Sequence, residues 1–168
     1  SYLVLYTTVK DLKTATSSFA GLGFQALPAV LIYSLFQTSL PEELLFRGLI
    51  QNLFAKAFSN HHVAIWLSAF IFGVFHFQFY GVIPRILLGA LFGYLYYWSG
   101  NLTLAILGHF INNGLTLILL YLSQFNILEF DPTDADTSPP AYVILIFFIG
   151  GSALLYLFRN YFTRTEDA

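Results

Sequence analysis

Two runs of this sequence, residues 62–80 (HVAIWLSAFIFGVFHFQFY) and 101–122, are apolar on all sides and bounded by turn signals. As helices they would measure ~28 Å and ~33 Å, about the thickness of a bilayer's hydrocarbon core. Lipid offers backbone N–H and C=O groups no water, so a spanning segment must satisfy them internally, and an open helix does so. A barrel would need short segments of alternating polarity, and these runs do not alternate. Composition agrees: 57% of the residues are hydrophobic and 10% are charged, against about 25% charged in ordinary soluble domains. A water-soluble domain of this length could not hide so much apolar surface.

The rest of the chain fills in the same pattern. Residues 16–38 read as a first span with a kink at Pro28, and residues 42–57 (EELLFRGLIQNLFAKA) as a shorter amphipathic helix. Residues 84–98 make a short span in which Gly89 and Gly93 have the spacing that lets helices approach closely. Residues 142–158 form a last span, after a polar loop over 123–141 that carries Glu129, Asp131, Asp134 and Asp136. The expectation is an all-α fold, a multi-pass transmembrane bundle of about six helices in one domain over residues 1–168. The chain lacks Met at position 1 and opens on a short apolar stretch, so it reads as missing N-terminal helices of a longer protein. Absence of Cys excludes disulfides, a thiolate nucleophile and Cys-ligated zinc. A net charge of −2 without a basic stripe excludes nucleic acid as a partner and leaves membrane lipid. If every segment crosses once, Lys10, Lys13, Lys56, Arg159 and Arg164 share one side, which the positive-inside rule puts in the cytoplasm. Arg85 is the exception. Glu42 and the end of the His76 helix then lie near the other face.

Against this background a few side chains are costly. A charge at the centre of a spanning helix costs about 2.5 kcal/mol or more. Glu42, Glu43 and Arg47, then His76, then His109 with Asn112 and Asn113, sit among Leu, Phe, Ile and Gly. Glu43 and Arg47 are i,i+4 and can pair. Glu42 lies about 100° round the helix and is left free of that Arg. Phe72 and His76 are i,i+4, as are His109 and Asn113. Taken singly, each has a plain structural explanation. Ser39-x-x-Glu42 fits a capping box, with Pro41 in the first turn of the helix it would start. Glu43–Arg47 reads as structural, and His or Asn in a span is often interhelical glue. His61 and His62, at a helix boundary, receive no role. Taken together, three helices each carry a costly group, and a Glu, two His and an Asn could meet in the bundle core.

Written out, these are Glu42-Glu43-x-x-x-Arg47, Phe72-x-x-x-His76 and His109-x-x-x-Asn113. Their order, spacing and surroundings (PEELLFRGLIQNLF, FGVFHF, GYLYYWSGNLTLAILGHFINN) resemble the signature motifs of the CPBP family. That family comprises intramembrane proteases related to the CaaX prenyl endopeptidases and the bacterial Abi proteins. The resemblance covers a motif core at residues 40–116. It implies an intramembrane endopeptidase in which Glu42 and His76 activate a water and His109 and Asn113 hold the tetrahedral oxyanion. Glu43, Arg47 and Phe72 support them.

The residues themselves allow that chemistry. A carboxylate in an apolar pocket suits a general base near neutral pH, and each oxyanion donor is typically worth about 100- to 1000-fold in rate. A metal version would use Glu42, His76 and His109 to ligate Zn²⁺ with water in the fourth position. The metal-free route is favoured because Asn113 suits an oxyanion donor better than a zinc ligand. The substrate would be a membrane-embedded or lipid-anchored peptide. The short chain looks bacterial, which points to the plasma membrane, and to peptide maturation or bacteriocin self-immunity rather than prenylated tails. The rivals are a non-catalytic membrane scaffold or immunity protein that keeps the motifs for packing, and, ranked lower, a proton or cation transporter.

Overall fold

The computed structural model describes residues 27–76, 82–123 and 141–166. Every element among them is helical. Residues 27–58 run as one helix, α1, and are followed by α2 (His61–Phe75), α3 (Val82–Ser99), α4 (Leu102–Ser123) and α5 (Ala141–Glu166). The chain packs as two compact units, residues 1–114 and 115–168. The expected short strand-free bundle is therefore all-α as read, but with five described helices where about six were expected.

The main difference lies in α1. The sequence points to a helix start near Ser39 and Pro41, separating a span over 16–38 from a helix over 42–57. Instead the backbone stays helical through Ser39 (φ −62°, ψ −46°), whose side chain caps nothing. Pro41 removes an N–H and crowds the preceding turn, which normally kinks or breaks a helix. Here the chain answers with widened π-type turns at Leu35–Ser39 and Leu44–Gln51. Such turns let a helix absorb a local misfit, and they recur at functional sites. With one helix in place of two, the alternation of sides behind the orientation estimate no longer holds. Lys10, Lys13 and the 123–141 loop, which that estimate also used, lie outside the described residues.

The α1–α2 turn takes two residues. Ser59 adopts a left-handed conformation (φ 52°) that ends α1. Asn60 then caps α2, its side chain accepting from the backbone N–H of His62 at 2.9 Å and of Val63 at 3.3 Å. Between α3 and α4, Gly100 supplies the positive φ of 62°, and the Asn101 side chain accepts from the Thr103 N–H at 2.9 Å. α2 stops at Phe75, so His76 sits at a helix end rather than within a 62–80 span.

Small residues set the core. A Cβ on Gly89 would stand 3.1 Å from the Ala69 Cα, and one on Gly93 2.9 Å from Ile65. The GxxxG spacing thus brings α3 against α2 as the sequence indicates, around buried Ile65, Ala69 and Ala90. Elsewhere the surface is apolar: Phe70, Phe75, Ile83, Leu87 and Ile111 are all more than half exposed. Among the described residues one stretch, Leu102–Leu119 in α4, is both long and apolar enough to cross a membrane by itself. α2 is apolar but only 15 residues long, ~22 Å as a helix and short of the hydrocarbon core.

Candidate active site

The site lies in the first unit, where α1, the C-terminal end of α2 and α4 come together. On one face of α1, Glu43 is fully buried. Its Oε1 accepts from Arg47 Nη1 at 2.9 Å and from His109 Nδ1 at 2.7 Å. Arg47 also donates through Nη2 to the Gly89 carbonyl at 2.8 Å and lies over the ring of Phe72, 4.8 Å from its centroid. A buried charge pair is held well only when its remaining donors and acceptors are met. Arg47 meets its share of that condition by linking α1 to α3 at the Gly89 carbonyl, while Glu43 Oε2 is buried without a hydrogen-bond partner among the described residues.

Glu42, rotated to the adjoining face, lies near two imidazoles. Its Oε2 is 3.8 Å from His76 Nε2 and 3.9 Å from His109 Nε2. These are not direct hydrogen bonds, but each is a separation that one water bridges. The ring nitrogens have defined roles. His76 Nδ1 donates to the Phe72 carbonyl at 2.8 Å, and His109 Nδ1 donates to Glu43. With both Nδ1 protons committed, the neutral form of each ring presents an Nε2 lone pair towards Glu42. Aromatic packing fixes the rings in place. Phe92 stacks on His109 with centroids 4.9 Å apart, and Phe72 meets His76 edge-on at 4.9 Å and His109 at 5.9 Å.

Asn113 follows His109 by one turn. Its Nδ2 donates to Thr38 Oγ1 at 3.0 Å and more weakly to Ser39 Oγ at 3.5 Å. Asn112 donates to its Oδ1 at 3.4 Å. Ser39, suggested by the sequence as a helix cap, is instead a buried contact for Asn113. Glu42, Glu43, Arg47, Phe72, His76 and His109 therefore form one connected cluster, while Asn113 is held one helical turn away by Thr38 and Ser39. His61 and His62 sit at the other end of α2, where His61 stacks on Tyr97 and His62 Nδ1 lies 3.0 Å from the Tyr94 hydroxyl.

Three connections were not read from sequence: Glu43 to His109, Arg47 to Gly89, and Asn113 to Thr38 and Ser39. The first was hidden by an apparently sufficient i,i+4 partner for Glu43. As possible metal donors, Glu42, His76 and His109 are spread more widely than the roughly 3.3 Å edge of a tetrahedral shell with ~2.0–2.1 Å bonds. No described group of His, Asp or Glu side chains is drawn together tightly enough to hold an ion.

Comparison with known proteins adds the family. A family model described as type II CAAX prenyl endopeptidase Rce1-like matches residues 24–115. That range takes in all three motifs and begins upstream of the 40–116 core read from sequence. Among curated proteins, YpbD of Bacillus subtilis, itself described as uncharacterized, is 29% identical over 91 residues. The match covers 52% of this chain and 43% of the relative, so the chain spans less than half of that protein's length. No solved structure matches at a significant level.

Proposed function

The chain belongs to the Rce1-like family of type II CAAX prenyl endopeptidases, and from that premise we propose that it is a multi-pass intramembrane endopeptidase that hydrolyses a membrane-embedded or lipid-anchored peptide. The observation that carries this reading is the approach of one carboxylate oxygen, Glu42 Oε2, to Nε2 of His76 and of His109 at 3.8 and 3.9 Å. A water between Glu42 and His76 donates one proton to each, which leaves its lone pair for the scissile carbonyl. Glu42 takes one proton as attack proceeds, and that proton is relayed through His76 Nε2 to the departing amine.

His109 and Asn113 face the oxyanion. In that role His109 carries protons on both nitrogens, giving one to Glu43 and the other to the substrate oxygen. Asn113 keeps one N–H on Thr38 and turns the weakly engaged one, 3.5 Å from Ser39, to the oxyanion. Glu43 thereby orients His109. The route needs no metal, and the spread of the three donors favours it. Glu42 and His76 keep 27% and 23% of their side-chain surface exposed, against 6% for His109. A peptide therefore meets the base and the water before it meets the oxyanion donors. The bacterial relative favours the plasma membrane as the location.

The test uses the full chain in proteoliposomes with a quenched S-farnesylated CAAX peptide and an acyl-anchored peptide of the same sequence. Cleavage of either that is lost in Glu42→Gln and survives 1,10-phenanthroline supports the proposal. Turnover by Glu42→Gln at the unaltered rate would end it, and loss to the chelator would replace the metal-free route by the zinc one.

A further inference from the structure

One buried polar side chain beside the site takes no part in this scheme. Ser68 of α2 is 1% exposed, and its hydroxyl donates to the Phe46 carbonyl of α1 at 3.0 Å. Ser68, Phe72 and His76 stand at i, i+4 and i+8, so they share one slowly turning stripe along α2 and its C-terminal end. Each meets α1 at a separate point. Ser68 holds the Phe46 carbonyl. Phe72 lies edge-on to the Phe46 ring at 5.0 Å and under the Arg47 guanidinium at 4.8 Å. His76 Nε2 comes within 3.8 Å of Glu42. The stripe thus runs antiparallel to α1, from its second π-type turn back to Glu42.

A serine inside a helix commonly donates to the carbonyl four residues back in its own helix. Ser99 does so, meeting the Leu95 carbonyl at 2.6 Å. Ser68 instead reaches across to another helix, and the carbonyl it meets lies in the widened turn Leu44–Gln51. A carbonyl oxygen has two lone pairs, so this bond adds to the backbone ladder without displacing it. A π-type turn moves the partner of each acceptor from the fourth residue on to the fifth. It therefore holds one residue more than the α-helical turn it replaces. Tightening it would rotate the part of α1 ahead of it by about 100° against the rest. That is also the angle between Glu42 and Glu43. Loss of the widened turn would carry Glu42 away from the two imidazoles while leaving α1 helical.

We infer that Ser68 is a positioning residue: by holding the Phe46 carbonyl it fixes the π-type turn of α1, and with it the rotation that points Glu42 at His76 and His109. The inference rests on the protease reading for the reaction that reports it. It adds a requirement which that reading does not contain: a rate that depends on a hydroxyl buried away from both water and substrate.

Two measurements on the full chain in proteoliposomes test this, and one of them needs no hydrolysis. The chain contains no cysteine, so a pair introduced by Glu42→Cys and His76→Cys can be joined by a short bis-methanethiosulfonate reagent without interference. A control pair, His62→Cys with Tyr94→Cys, sits at the other end of α2, where the native side chains are 3.0 Å apart. Adding Ser68→Ala should remove most of the cross-linked product of the first pair and none of the second. In the kinetic arm, with the acyl-anchored peptide, Ser68→Ala should lower kcat by about 10- to 100-fold, the scale for a small misplacement of a reacting group. KM should stay within about twofold, as for a change felt only in the transition state. Ser68→Thr, which keeps the hydroxyl, should recover most of the rate. Unchanged cross-linking of the first pair in Ser68→Ala overturns the inference. So does a loss shared by the control pair, which marks general loosening, and so does a Ser68→Thr rate as low as that of Ser68→Ala. Cross-linking that depends on Ser68 in a protein that cleaves nothing sinks the protease reading alone. Cleavage by a protein whose cross-linking ignores Ser68 sinks this inference alone.

Discussion

Two faces of α1 carry adjacent carboxylates into opposite surroundings. On one, Glu43 is fully buried and shares a single oxygen between Arg47 and His109 at 2.9 and 2.7 Å. On the other, Glu42 is partly open and has two imidazoles just beyond hydrogen-bond distance, at 3.8 and 3.9 Å. The helix turns about 100° per residue, so a single step along the sequence moves a carboxylate from the packed seam to the partly open side. Glu43 belongs with the small-residue packing of α2 and α3, through Arg47 and the Gly89 carbonyl. On the proposed function, Glu42 serves water and substrate. One lesson is that an EE pair is two residues with separate tasks, and its members should fail differently when changed.

The largest difference should come from the open face. Glu42→Gln keeps shape and hydrogen-bonding capacity but cannot accept the water's proton. Cleavage of the lipid-anchored peptide should fall by about 1000-fold or more, towards the upper end for a general base. The thermal midpoint should stay within a degree or two. A midpoint that drops together with the rate would merge Glu42 with Glu43 and abolish the distinction.

Glu43→Gln should invert that signature. It leaves Arg47, 1% exposed, as a buried charge whose counter-ion is gone. Breaking a buried pair in this way costs about 3–5 kcal/mol, read as a large fall in thermal midpoint. Some loss of rate should follow from His109, whose charged acceptor becomes a neutral amide oxygen that holds its Nδ1 proton more weakly. Second-site replacement of Arg47 by Met, which removes the stranded charge, should restore stability in part while the rate stays low. A Glu43→Gln protein as stable as the parent would mean that the seam is not held by this pair.

These expectations also mark how far the sequence could be read. The i,i+4 geometry of Glu43 and Arg47, the isolation of Glu42 from that Arg, and the close approach at Gly89 and Gly93 follow from helical periodicity alone, and all appear in the fold. Periodicity describes one helix at a time, however. It cannot show that Glu43 reaches 66 residues along to His109, or that Asn113 is anchored by Thr38 and Ser39. The segmentation failed at Pro41 for a related reason. A proline after a Ser, with Glu next, is the local signature of a helix start. The tertiary fold instead buries Ser39 against α4, and the π-type turns carry the helix through. Arg85 was noticed only as a misfit in a charge count. The lack of a partner at its Nη1 among the described residues is a property of three-dimensional surroundings that no spacing rule encodes.

Gly89→Ala probes the packed side without touching a titratable group. The added methyl would meet the Ala69 Cα and the Phe72 ring at 3.1 Å. The Cα belongs to backbone and cannot swing aside. Overpacking of this kind costs about 1–3 kcal/mol, and α3 must withdraw from α2 to relieve it. Stability measured by thermal unfolding should fall, with a smaller loss of rate than in Glu42→Gln because the methyl meets Ala69 and Phe72 rather than Glu42 or His76. A rate lost in full at unchanged stability would place Gly89 with the chemistry and redraw the boundary between the two regions.

The smallest effect is expected at the far end of α1. Ser59 holds φ at 52°, a conformation that costs a non-glycine residue about 1–2 kcal/mol. Ser59→Gly relieves that strain, although the glycine also gives the unfolded chain about 0.4–1 kcal/mol of extra freedom. The balance is a gain of roughly 0.5 kcal/mol, visible as a small rise in thermal midpoint. Ser59 is exposed and remote in sequence from both carboxylates, so the rate at a temperature where both proteins are fully folded should not change. That comparison fixes the meaning of the others. If the rate rises with stability even here, then activity in this chain simply reports the folded fraction, and the contrast between Glu42 and Glu43 would be one of degree. If stability moves alone, the loss in Glu42→Gln can be assigned to the missing base.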